Sequence, residues 1–218
     1  MEISKLEIKK IDNHLKYQGI KYWDLRLEMI DHIVTDMETH SKHNTFELNF
    51  KSSLKHLGWG GNLSYLNREG WQNVNKNFRR EYCKGFLDFF KKAKNILIYL
   101  SFITIYYYFS ENINFKFFRQ ISYLLFISPL ILVLILFLKS LNKKYGKSVN
   151  LDYGVTYMIM SFLIFNSFPL FWKEQSVFIQ KIGWFIILPI HFIAFYSGYN
   201  LYKRTIVKIE EMRKHLLN

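Results

Sequence analysis

Four long apolar runs in the second half of the chain constrain it more than any other feature. Residues 95–110 read NILIYLSFITIYYYFS, and residues 121–138 read ISYLLFISPLILVLILFL, with Phe117 and Phe118 just before them. Residues 153–172 read YGVTYMIMSFLIFNSFPLFW, and residues 182–202 read IGWFIILPIHFIAFYSGYNLY. None of the four holds an Asp, Glu, Lys or Arg. A helix rises about 1.5 Å per residue and a bilayer core is about 30 Å thick, so runs of this length suit a membrane crossing. Helices in soluble proteins carry a polar face that these runs lack. The pattern predicts four transmembrane helices at about 95–110, 118–138, 153–172 and 182–202. The first is slightly short, and its Tyr106, Tyr107 and Tyr108 suit an interfacial aromatic belt at its far end.

Charge sets the expected orientation. The chain carries a formal net charge of +13. Residues 1–94 hold 17 Lys and Arg against 12 Asp and Glu; residues 95–218 hold 13 against 5. Arg79, Arg80, Lys84, Lys91, Lys92 and Lys94 precede the first span. Lys139, Lys143, Lys144 and Lys147 lie between the second and third, and Lys203, Arg204, Lys208, Arg213 and Lys214 follow the fourth. The two remaining loops hold only Lys116 with Arg119, and Lys173 with Lys181. Positive loops mark the cytoplasmic side, so both termini are expected there, as an even number of spans requires. Basic residues beside apolar segments suit anionic lipid headgroups better than nucleic acid, and no nucleic-acid partner is expected. Residues 79–94 interleave these bases with Phe78, Tyr82, Phe86, Phe89 and Phe90. They read as a basic juxtamembrane helix over residues 71–94, lying against anionic lipid and running into the first span. No signal-peptide apolar core opens the chain.

Few polar groups enter the spans. His191 and Asn166 are the intramembrane polar candidates, and an interhelical hydrogen bond between them is the plain expectation. Pro129, Pro169 and Pro189 each free a backbone carbonyl that needs another donor. No GxxxG pair supports close helix packing.

Residues 1–70 follow the helical period and form a small cytoplasmic domain. A first helix covers residues 3–18 and stops at Gly19. A second covers residues 22–40, with Trp23, Leu27, Ile30, Val34 and Met37 on its buried stripe, supported by Leu25, Met29 and Ile33, and Asp24, Glu28, Asp31, Thr35 and Glu38 opposite. Asn44 is placed to cap a third helix over 45–57, which ends at Gly58. A short helix follows from Asn62, and a long one begins after Gly70. No strand pattern appears. The fold class is therefore all-α: a small N-terminal helical domain, four spans, and a basic tail over residues 203–218.

Glu28, Asp31, His32, Asp36, His40 and His43 fall within sixteen residues. Glu28, His32, Asp36 and His40, spaced by four, share one helical face, and imidazole with carboxylate at this spacing can hold zinc or iron. Ligands from a second helix are needed to complete such a set. The alternative is a solvated face of histidine–carboxylate pairs. The single cysteine, Cys83, has no activating neighbour in the sequence. No phosphate-binding glycine loop, nucleophile elbow or CxxC pair occurs, and no cofactor is implied. Trp23, Trp59 and Trp71 are large anchors for a small domain; Trp59, flanked by glycines, and Trp71 are the candidates for gripping a partner.

The stretches EMIDHIVTDMETH, TFELNFKSSLKHLG and NLSYL resemble the heavily amphipathic alpha-helical signalling (HAAS-type) domain of bacterial membrane proteins. That family shows a short helix, a longer acidic helix ending near a His, and a Ser/Thr-started helix ending at Leu-Gly. Transmembrane helices follow. Here the acidic excess is diluted by lysines, and Trp59 stands where the family often has Pro. The resemblance covers about residues 1–67. It implies a bacterial cytoplasmic-membrane protein with a regulatory role, often alongside PadR-type transcription regulators, and no catalysis. Three functions follow as expectations. The first is a signalling or membrane-complex protein whose helical domain binds a protein partner. The second is a small transporter subunit. The third is a membrane enzyme with a metal site in the Glu28–His43 cluster.

Overall fold

The computed structural model describes residues 3–40, 45–143 and 145–217. It is entirely helical among the described residues: α1 (Lys5–Tyr17), α2 (Trp23–His40), α3 (Phe46–His56), α4 (Ser64–Phe89), α5 (Ala93–Asn112), α6 (Phe115–Ile127), α7 (Pro129–Asn142), α8 (Val149–Phe165), α9 (Phe168–Phe171) and α10 (Val177–Leu217). Contacts divide the chain into two units, Met1–Lys76 with Gly146–Asn150, and Asn77–Tyr145 with Leu151–Asn218.

The first unit buries an aliphatic core. Ile11 and Leu15 of α1, Met29, Ile30, Ile33 and Met37 of α2, and Phe50 and Leu54 of α3 meet with Ile20 and Leu63. The local signals agree with this packing. Ser4 caps α1 in a reciprocal capping box with Glu7. Gly19 and Gly58, both at positive φ, end α1 and α3 where the sequence stops them. Thr45 holds the N-cap position of α3; the expected cap, Asn44, lies outside the described residues. Two expectations fail here. Ile30 and Met37 of the expected stripe of α2, with the supporting Met29 and Ile33, are buried, but Trp23, Leu27 and Val34 are only half-buried and Asp24, assigned to the polar face, is buried. Gly70 starts no helix, because α4 runs through it. A Cβ there would meet the Leu25 side chain at 2.9 Å, so Gly70 serves close packing.

The second unit holds the apolar helices. Three stretches are long and apolar enough to cross a membrane: Phe115–Ser140, Val149–Phe171 and Val177–Lys214. Only 17% of the most apolar window of Phe115–Ser140 is buried inside the protein, so most of what covers that stretch must come from outside the chain. Its core joins Tyr106 of α5, Phe118 and Phe126 of α6, and Trp184, Ile187 and Leu188 of α10. The Ser122 hydroxyl donates to the Phe118 carbonyl at 2.8 Å, leaving its oxygen to accept from the Tyr106 hydroxyl at 2.5 Å. Helices α8 and α10 meet almost backbone to backbone. A Cβ on Gly198 would lie 2.2 Å from the Tyr157 carbonyl oxygen. Gly154 of α8 adds a second close contact, its Cβ position 3.3 Å from Thr205 of α10, so the approach is made by single glycines on facing helices and no GxxxG pair.

The three prolines have three fates. Pro129 opens α7 after a break at Ser128. Pro169 lies in the four-residue α9. Pro189 sits inside the uninterrupted α10. At 41 residues, α10 is about 60 Å long, roughly twice a bilayer core. The expected tail is therefore a continuation of this helix, as far as Leu217. The expected juxtamembrane helix is instead two helices, because the chain leaves helical geometry at residues 90–92 between α4 and α5.

Candidate functional site

A buried carboxylate with five hydrogen bonds, Asp24, lies in the opening turn of α2. The chain enters that turn through Trp23, whose amide donates to the Lys147 carbonyl at 3.1 Å. Gly146 adopts φ +78°, a left-handed conformation that favours glycine. The Asp24 carboxylate then accepts from the Ser148 hydroxyl at 2.8 Å, the Val149 amide at 3.1 Å and the Asn150 amide at 3.0 Å. It also accepts from the Asn150 side-chain amide at 2.8 Å and from the Leu25 amide at 3.1 Å. Val149 and Asn150 are the first residues of α8, whose leading amides have no partner within their own helix. Asp24 is thus an N-cap supplied by a distant segment, a fixed negative charge at the positive end of a helix dipole. It is 6% exposed, which strengthens each of these bonds. Asp24 reads in the sequence as one more acid on a polar face; Ser148 and Asn150, more than 120 residues away, give no signal of pairing with it.

The acidic–histidine cluster splits. Asp36 and His40 of α2 are joined by His56 of α3, whose metal-binding atoms all lie within 4.8 Å of one another. His56 Nδ1 is 2.6 Å from Asp36 Oδ1, and His40 Nδ1 is 3.1 Å from the same oxygen. Burial pulls the Asp36 carboxyl upward, but hydrogen bonds from His56 and Ser53 and the neighbouring imidazoles outweigh it and hold the group below its ordinary value. Glu28 and His32 do not join them. Residues spaced by four share a face but climb about 6 Å per step, so a single ion touches only neighbouring steps. Glu28 is exposed, and the His32 ring packs edge-on against Trp59 at 6.4 Å. His43 lies outside the described residues. His56 escapes a reading that searches one helix face at a time.

Trp59 is half-buried against the first unit's core, its amide donating to the Leu54 carbonyl at 2.7 Å. Trp71 is half-buried beside the Tyr22 ring, 5.8 Å away. Arg79, Arg80 and Lys84 are exposed on α4, Lys91 and Lys92 at the break, and Lys94 in the first turn of α5. Lys92 and Lys94 also border an apolar cleft of about 720 Å³ between α5 and α10, lined by Phe102, Leu132 and Phe192 among others.

His191 and Asn166 do not pair. Asn166 lies in the turn after α8 and accepts from the Ser167 hydroxyl at 2.8 Å. His191, 1% exposed, donates from Nε2 to the Phe126 carbonyl at 3.1 Å. The break before Pro129 explains this choice. At the end of α6, the Leu124 carbonyl accepts the Ser128 amide and the Leu125 carbonyl accepts the Ser128 hydroxyl. His191 serves the Phe126 carbonyl, another of the carbonyls a helix end leaves without a following amide.

The sequence also leaves unseen a clasp on the far part of α10. Glu210 accepts from the Tyr145 hydroxyl at 2.7 Å and pairs with the Lys143 ammonium.

No family model, curated protein or solved structure matches this chain.

Proposed function

We propose that the chain is a four-span protein of the bacterial cytoplasmic membrane, whose N-terminal helical unit receives a regulatory input and relays it to a span. The observation that carries this reading is the five-bond Asp24 cap. Through it the start of α8, itself a membrane-length helix, is built into the folded unit of α1–α3. Loss or gain of a partner on that unit changes the stability of a turn that is continuous with a span.

α5 serves as the fourth span. It is 20 residues long, about 30 Å, and its Tyr106 is buried against α6 and α10. Lys91, Lys92 and Lys94 then meet anionic headgroups, and both termini are cytoplasmic. The partner is a cytoplasmic or membrane protein, with Trp59 and Trp71 as anchors.

Two measurements test this. A membrane-impermeant maleimide should label the native Cys83 only after permeabilisation, and cysteines placed at Asn112 and Gln175 without it. Labelling of Cys83 and Asn112→Cys from the same side would remove α5 from the spans. Capture of the full chain from its native membranes in mild detergent should yield a stoichiometric protein partner that Trp59→Ala loses at unchanged helicity. Asp24→Ala should keep that partner but lower hydrogen-exchange protection of the amides at the start of α8. A chain that always elutes without a partner would overturn the regulatory reading.

A further inference from the structure

The contact between α2 and α3 places three metal-binding side chains around one point. Asp36 and His40, one turn apart, present a carboxylate oxygen and an imidazole nitrogen on the same side of α2, and His56 ends α3 opposite them. Both histidines approach the same carboxylate oxygen through Nδ1, at 2.6 and 3.1 Å, and their ring centres are 5.0 Å apart. Ligand atoms about 2.0–2.2 Å from a tetrahedral zinc stand roughly 3.3 Å from one another. Two separations, 2.6 and 3.1 Å, are shorter than that figure and all three atoms lie within 4.8 Å of one another, so an ion enters when the side chains adjust outward from the shared carboxylate oxygen. His40 Nδ1 also lies 2.9 Å from the Thr39 hydroxyl, a contact that the bound ion would replace.

The three residues border a cavity of about 160 Å³, together with Met37, Asn49, Ser52 and Ser53. It has room for water beside the ligands, and three protein ligands leave a fourth position for one. Asp36 is well suited as the central ligand. Its side chain is 10% exposed, while His40 and His56 are 59% and 61% exposed.

We propose that Asp36, His40 and His56 bind a divalent borderline transition-metal ion of the zinc type. Two neutral imidazoles and one carboxylate favour zinc, cobalt or nickel over calcium or magnesium, which take oxygen ligands. Bound there, the ion fastens the last turn of α2 to the last turn of α3. This inference stands on the geometry of the three residues and does not depend on the chain's regulatory role or on the number of spans.

The test uses the full chain in mild detergent, without a histidine tag, stripped by a chelator and titrated with zinc chloride or cobalt chloride. One equivalent of zinc should bind, and cobalt should develop the visible bands of a low-coordinate histidine site. His40→Ala and His56→Ala should each weaken zinc binding at least about tenfold with helicity retained. Asp36→Asn should do the same. His32→Ala, outside the triad, should leave the affinity unchanged. Failure to bind zinc at micromolar concentration, or equal binding by His40→Ala and His56→Ala, would overturn the proposal. If an alanine variant unfolds, His56→Gln, which keeps most of the side-chain volume, gives the same decision.

Discussion

The two units of this chain solve the same packing problem in different solvents. The first unit gathers aliphatic residues inside and leaves few large apolar side chains outside, Leu6, Tyr17, Leu48 and Tyr65 among them. The second leaves a long series of them exposed, including Leu97, Ile105, Leu124, Ile131, Leu134, Leu163 and Phe178. Its interior is specified by aromatic rings, a hydroxyl pair and close glycine contacts at Gly85, Gly183 and Gly198. In water, removing apolar area from solvent drives association. Between helices in a bilayer that drive vanishes, because lipid tails are as apolar as leucine, and close contact and hydrogen bonds remain to choose the partner. Asp24 marks where the first solution meets a helix of the second kind: its buried charge is matched by the leading amides of α8.

Gly198→Leu should break the second solution outright. The added side chain begins 2.2 Å from the Tyr157 carbonyl oxygen, where main chain has to give way. Overpacking against backbone should cost about 3 kcal/mol or more, read as loss of the thermal transition in detergent. A transition within a few degrees of wild type would show that α8 and α10 do not approach so closely.

A matched pair of truncations sharpens the contrast. Ile33 and Leu188 are both 0% exposed. Ile33→Ala should cost about 3 kcal/mol, a transfer term plus a cavity term. Leu188→Ala in bicelles should cost closer to 1 kcal/mol, because the transfer term is small when the unfolded reference is still in lipid. Denaturation of each variant gives both numbers, and equal costs would erase the distinction between the two interiors.

Asp24→Ala should destabilise the first unit by about 2 kcal/mol, within the range for a helix cap and charged hydrogen bonds. Limited proteolysis should then open first at residues 146–150. Unchanged protection there would mean that the segment is held by something other than this carboxylate.

The smallest effect belongs to His191→Ala, about 1 kcal/mol or less, as for one interhelical hydrogen bond. It should be insensitive to replacement of Asn166. A double-mutant cycle with a coupling energy between His191 and Asn166 would contradict the pairing with Phe126.

The sequence by itself determined the all-helical class, the apolar runs, and the places where α1 and α3 stop. These rest on period, charge absence and glycine conformations that operate within a few residues. It also marked two of the three residues of the proposed metal site, since Asp36 and His40 are one turn apart on a single helix. What lies across the fold was decided only by tertiary structure. His56 joins them because α3 packs on α2. Asp24 is buried because a segment 124 residues later brings Ser148 to it. His191 finds the Phe126 carbonyl because Pro129 interrupts the helix that would otherwise have used it. A hydrogen-bonding group takes the nearest unsatisfied partner in space, and one chain's local pattern does not record distance in space.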